Sequence, residues 1–188
     1  YLGIAGGDTS SLISSVMVQK QDSGTGVKVK IITQSNITKI TSTQYANAAI
    51  TAGVSDVEID VASVSKVTGE SALTGVYKAL EANGETLDPD RTQVAQDELE
   101  TTNEIAQNNA DDSNFDSARL DQALVEIKQE LAQIKQNQGS AATTEQVEQV
   151  VQDALKKFNL SDIISQDDID KLIAFAKKYQ NTSAIDSQ

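Results

Sequence analysis

Residues 57–84 read VEIDVASVSKVTGESALTGVYKALEANG, and their apolar pattern changes period halfway along. Val57, Ile59 and Val61 alternate with Glu58 and Asp60, a period of two that gathers the apolar side chains on one face of a strand. Ala72, Leu73, Val76, Ala79 and Leu80 then recur at helical spacing, and Asn83-Gly84 supplies the stop. A strand followed by a helix that can cover its apolar face is the unit of a layered α/β fold.

The residues upstream extend that unit. Thr41 and Gln44 have capping-box spacing, so a helix is expected through Tyr45, Ala49 and Ile50, stopping at Gly53. Within Leu12–Gln21, Val16 and Val18 alternate with Met17 and Gln19; Val27, Val29 and Ile31 alternate with Lys28 and Lys30. Two such runs around Gly24-Thr25-Gly26 predict a β-hairpin, with the lysines on a solvated face. Gly3 to Ser11 reads as loop or tail. The expected order is ββαβα, a small mixed sheet covered by helices over residues 1–87.

Downstream, Asp88-Pro89 is an N-cap followed by a first-turn proline, and the texture turns to Gln, Glu, Asp, Asn and Lys. Val94, Leu99, Thr102 and Ile105 mark a helix to about Gln107, and Asn108 to Asn114 a polar turn. Leu120, Leu124, Ile127, Leu131 and Ile134 then form an a/d seam flanked by Glu126, Lys128, Glu130 and Lys135. Residues 88–138 are therefore expected to be a coiled-coil-like helical hairpin. The seam closes either against the preceding helix or between chains. After a linker at Gln138–Thr144, Val147, Val150, Val151, Ala154, Leu155 and Phe158 predict one amphipathic helix. Ser165 and Asp168 predict a capping box for another through Ile169, Leu172, Ile173, Ala176 and Tyr179. Residues 139–188 are thus a helix pair with a frayed tail. The fold class is α+β/α.

Composition narrows the chemistry. The chain has no Cys and no His, which rules out disulfides, thiolate and imidazole catalysis, and zinc held by those ligands. Residues 1–84 carry six basic and seven acidic side chains, whereas the whole chain stands at −13. The acidic second part repels nucleic acid and anionic lipid, and its charge is expected to keep an exposed helical region soluble. No apolar run approaches the roughly 18 residues of a membrane helix, so no membrane insertion is expected, and these residues contain no signal peptide.

Three motifs touch on chemistry. Ser63-Val64-Ser65-Lys66 matches the Ser-x-x-Lys pattern of acyltransferases, but the companion Lys-Thr-Gly is missing. Asp112, Asn114 and Asp116 share the opening spacing of a calcium loop, while Ser117 and Ala123 stand where its Gly and closing Glu belong. A helix–helix turn with a capping Asp or Asn explains them better. Gly69, Ser71 and Gly75 open a helix where an anion could sit, in a spacing that matches no phosphate loop; small residues there also permit close helix–sheet packing. Carboxylates are plentiful, but four Tyr, three Phe and no Trp make a poor sugar platform. No cofactor is called for.

Several stretches resemble the YpuA-like family of secreted Gram-positive proteins. They are Tyr1-Leu2-Gly3, Ser14-Ser15-Val16, the Gly26-Val27 to Ile37-Thr38 region, Tyr45-Ala46-Asn47-Ala48 through Ala52-Gly53-Val54 and, most fully, Val67 to Ala79. The likeness spans residues 1–84, weakening through the acidic helices. Members of that family carry a further portion before the Tyr-Leu-Gly that this chain lacks, and Gly7-Asp8-Thr9-Ser10 lacks the Arg of the corresponding family stretch. The resemblance implies export and a cell-surface or extracellular setting, with no catalytic residues to carry over. It also implies a sheet edge that is open here or filled by another chain.

Two readings follow. In the first, the chain is an exported, non-enzymatic structural or interaction protein, self-associating through helices or an open sheet edge, or holding a cell-surface partner. The alternative is a cell-envelope hydrolase or small-ligand-binding protein, with Ser63, Lys66 or the Gly69 turn in its site.

Overall fold

The computed structural model describes residues 14–187. The loop expected over Gly3–Ser11, the start of the first strand at Leu12-Ile13 and the first stretches of the family resemblance lie outside them. The chain divides into two compact units, Tyr1–Leu99 and Glu100–Gln188.

The first unit follows the expected ββαβα order, with β1 Ser14–Lys20, β2 Val27–Ile31, α1 Ser42–Thr51, β3 Val57–Ser63 and α2 Ser71–Ala82. The expected hairpin is not formed. The strand order is β1-β3-β2, with β3 antiparallel to β1 and parallel to β2. Burial explains the arrangement: Val57, Ile59 and Val61 are at most 2% exposed, whereas the inward residues of β1 and β2 are only partly buried. The strand with the most apolar surface to hide takes the centre. The connection between β1 and β2 spans the start of β3. Asp56 holds it there, its Oδ1 accepting from the Gly24 and Gly26 amides at 2.9 and 3.0 Å. Both glycines have positive φ, which aims the two amides at one carboxylate.

Helices α1 and α2 cover one face of this sheet. Tyr45, Ala48, Ala49 and Ala52 of α1 and Ala72, Leu73, Val76 and Leu80 of α2 share one core with β3, and Val16, Val18, Val27, Val29 and Ile31 pack against it. The capping box at Thr41 and Gln44 forms as read, with reciprocal bonds of 3.1 and 2.9 Å. Asp88 starts α3, Pro89–Asn108, accepting from the Asp90 amide at 2.9 Å.

The boundary between units falls inside α3, because Ala95 and Leu99 belong to the core of the first unit. Arg91 donates to the Thr51 and Ile50 carbonyls at 2.9 and 3.1 Å, a cation at the C-terminal end of α1. Thr51 Oγ1 donates to the buried Glu98 carboxylate. The acidic texture of this region does not mean exposure: Thr92, Gln96, Glu98, Thr102 and Asn103 of α3 are all buried.

The second unit holds the end of α3, then α4 Ser117–Gln138, α5 Thr144–Lys157, α6 Gln166–Gln180 and a 3-10 turn, Ser183–Ser187. Helices α5 and α6 both pack against α4. Capping explains the helix starts: Asp116 accepts from the Ala118 amide at 2.9 Å, and Thr143 with Gln146 forms a full box. At α6, Ser165 accepts from the Asp168 amide at 3.2 Å, but the expected reciprocal half is absent. The buried Asp168 carboxylate instead accepts from Asn108 Nδ2 at 2.9 Å, Asn109 Nδ2 at 3.3 Å and Lys171 Nζ at 3.4 Å. The tail expected to fray is a turn with Ala184 and Ile185 buried, closed by a Lys135–Asp186 ion pair at 2.7 Å.

Candidate functional site

The side of the sheet away from α1 and α2 is lined by partly or fully exposed residues. The inward residues of all three strands have one parity, so the opposite parity lines this face. It carries Ser15, Met17 and Gln19 on β1, Glu58, Asp60 and Ala62 on β3, and Lys28 and Lys30 on β2. Register sets them in cross-strand rows: Lys28 beside Glu58, Lys30 beside Asp60 and Met17 on the other side of Asp60. Ile32 continues the β2 alternation and donates its amide to the Val61 carbonyl at 2.8 Å, which brings it next to Ala62. Val64 follows the end of β3 in a bend.

Exposure separates this face from an ordinary solvated one. Met17, Ile32 and Val64 are 51%, 59% and 98% exposed, and they are the exposed large hydrophobics among the described residues. Met17 stands on β1 in the row of Asp60 and Lys30, and Ile32 follows β2 in the next row, beside Ala62, with β3 between them. The two lysines and two carboxylates share this face. Lys30 pairs with Glu58, whose hydrogen bond and charge hold the Lys30 ammonium above the ordinary lysine range. Asp60 keeps one oxygen, Oδ1, without a hydrogen-bond partner.

The residues singled out from sequence stand elsewhere. Ser63 is buried, its hydroxyl donates to the Ser65 carbonyl at 2.7 Å and its amide to Thr33 Oγ1 at 2.8 Å, while Lys66 is exposed. Gly69 is buried under the Tyr45 hydroxyl, which donates to its carbonyl; burial, with Glu70 nearby, pushes the Tyr45 phenol above its usual pKa. Ser71 Oγ lies 3.3 Å from Ser14 Oγ. At Gly75 an added Cβ would lie 3.1 Å from Val16 Cγ2, so this glycine lets α2 approach β1. Asp112 accepts from the Asn114 amide at 2.8 Å, and Asp116 caps α4. No group of three or more carboxylates suited to a metal ion occurs among the described residues. Leu120, Leu124, Ile127 and Leu131 are buried, and Ile134 is partly exposed.

Sequence reading places Lys28 and Lys30 on a solvated face but not the exposed apolar side chains there. The signal is present in part, since Ile32 is in phase with β2. What brings Met17 and Ile32 to either side of Asp60 and Ala62 is the β1-β3-β2 order, which periodicity does not encode.

The architecture is a mixed sheet with helices on one face, whose chain continues into a helical unit. The chain belongs to the family described as "Protein of unknown function (DUF1002)", whose sequence profile matches residues 4–188. It is 33% identical over 169 residues to a protein of Bacillus subtilis (strain 168) described as "Uncharacterized protein YpuA", a match covering 89% of this chain and 52% of that protein. The chain thus spans about half the length of the curated relative it matches, and the YpuA-like resemblance read from the residues holds. No solved structure matches the chain.

Proposed function

We propose that this chain is a non-enzymatic interaction protein exported to the cell surface, with the uncovered sheet face of its first unit as the docking surface. One observation carries the reading: Met17 and Ile32, both more than half exposed, flank the central strand in the rows of Asp60 and Ala62 on the face that the helices leave uncovered. Exposed apolar groups gathered on one surface and rimmed by polar side chains mark contact sites, whereas lone ones are ordinary. The commitment of Ser63 to the Ser65 carbonyl and the packing at Gly69 and Gly75 support the same reading. Export rests on the likeness to secreted proteins.

The chain has no cysteine, so Val64→Cys and Met17→Cys each offer a single thiol for a photo-crosslinker. On intact Gram-positive cells, both are expected to give discrete protein adducts, and Glu130→Cys on an exposed position of α4 none. If neither face position gives a discrete adduct, the docking reading falls. Recovery of the native protein only from the cytoplasmic fraction would remove export.

A further inference from the structure

The docking face matches itself. We infer that its occupant is a second copy of this chain, seated about a two-fold axis parallel to β2 and β3 and midway between them. This inference rests on the docking reading above and names the partner.

The argument starts from register. Strands β2 and β3 are parallel, with Lys28 beside Glu58 and Lys30 beside Asp60. A two-fold axis along the strands preserves position along them and exchanges left for right. Two sheets stacked face to face, about 10 Å apart and within roughly 30° of alignment, then place β2 of each copy over β3 of the other. Lys28 comes over the second copy's Glu58, Lys30 over its Asp60, and Ile32 over its Ala62. Each contact occurs twice, as an isologous interface requires. The cross-strand rows are what make this work, because the axis sets each side chain over the copy of its lateral neighbour.

Charge selects the same face. At −13 the chain repels its own copies, and residues 85–188 hold nearly all of the excess. The sheet face carries two lysines and two carboxylates, so copies approach there without net repulsion. Lys30 is bonded to Glu58 within its own copy, and the facing copy's lysine row adds opposite charge over both carboxylates. A uniformly basic or acidic partner would meet one like-charged row.

The test is a charge swap read by light-scattering mass. The native chain, at 20.0 kDa, is expected to show a concentration-dependent doubling of mass. The variant Lys28→Glu/Lys30→Glu and the variant Glu58→Lys/Asp60→Lys should each stay monomeric with an unchanged circular dichroism spectrum. Mixed in equal amounts they should pair, because each then meets opposite charge on both rows. If either variant misfolds, Ile32→Asp and Val64→Asp, at exposed positions, replace it and should weaken the dimer about ten-fold or more. A native chain that is monomeric at every concentration overturns the inference. So does a dimer that survives both charge variants, which would point to backbone pairing at a strand edge, and so do folded variants that do not pair when mixed. Val64→Cys adducts with some other protein, beside a monomeric native chain, would remove the second copy as occupant and leave the docking reading standing.

Discussion

Gly69 shows how much of this fold depends on single positions. Its φ of +108° is one that side chains avoid, and an added Cβ would sit 2.5 Å from the Tyr45 hydroxyl oxygen and 2.8 Å from Ile37 Cγ2. Backbone strain and overpacking add, so Gly69→Ala is expected to cost about 2–5 kcal/mol in urea unfolding. A Gly69→Ala chain of native stability would show that this turn has room the geometry denies. Tyr45 above it makes stability depend on alkaline pH. Its phenol titrates higher folded than unfolded, because burial disfavours the phenolate and Glu70 adds repulsion. The folded chain therefore keeps the proton where the unfolded chain gives it up. The contribution is complete below the ordinary tyrosine value of about 10 and is lost as pH rises from there toward the folded value. Between pH 9 and 11 the native chain should lose stability more steeply than Tyr45→Phe; equal slopes would refute this.

Helix starts were legible in the sequence, because capping is local chemistry: Thr41 with Gln44, Asp88 before Pro89, and Ser165 all act where their spacing predicts. Asp168 was read as the return half of a box, and long-range demand overrode that. Its carboxylate joins α6 to the end of α3 through Asn108 and Asn109. Asp168→Ala removes a buried acceptor from two amides and a lysine, so it should cost about 2–4 kcal/mol. Ser165→Ala loses one cap bond, about 1 kcal/mol. Equal losses in denaturant titrations would mean that Asp168 acts only as a cap. The misread hairpin has a similar cause. β1 and β2 each have the right period, but a strand's period does not say which strand lies beside it.

How the two units are cut from the chain also bears a test. The change of texture at Asp88-Pro89 suggested an end to the first module at residue 87, whereas that unit runs to Leu99. Leu99 is fully buried in its core, with Ala95 beside it. A fragment of residues 1–99 should therefore outlast one of residues 1–87 in urea by about 2–4 kcal/mol, chiefly the burial of these side chains and the bonds of Arg91. Equal midpoints would place the boundary at the proline after all.

Local patterns were enough to define the elements, their order and most of their caps, and the family could be read from small-residue stretches in the first unit. These depend on neighbours within about four positions in the chain, where spacing carries the physics. Strand order, the burial of polar α3, the diversion of Asp168 and the placing of Met17 and Ile32 on either side of the central strand depended on the tertiary structure. Each is a competition between segments far apart in sequence for the same buried surface or the same hydrogen-bond partner. β3 won the centre of the sheet because its inward residues had the most apolar area to remove from water, and that placement brought the lysine row and the acidic row side by side.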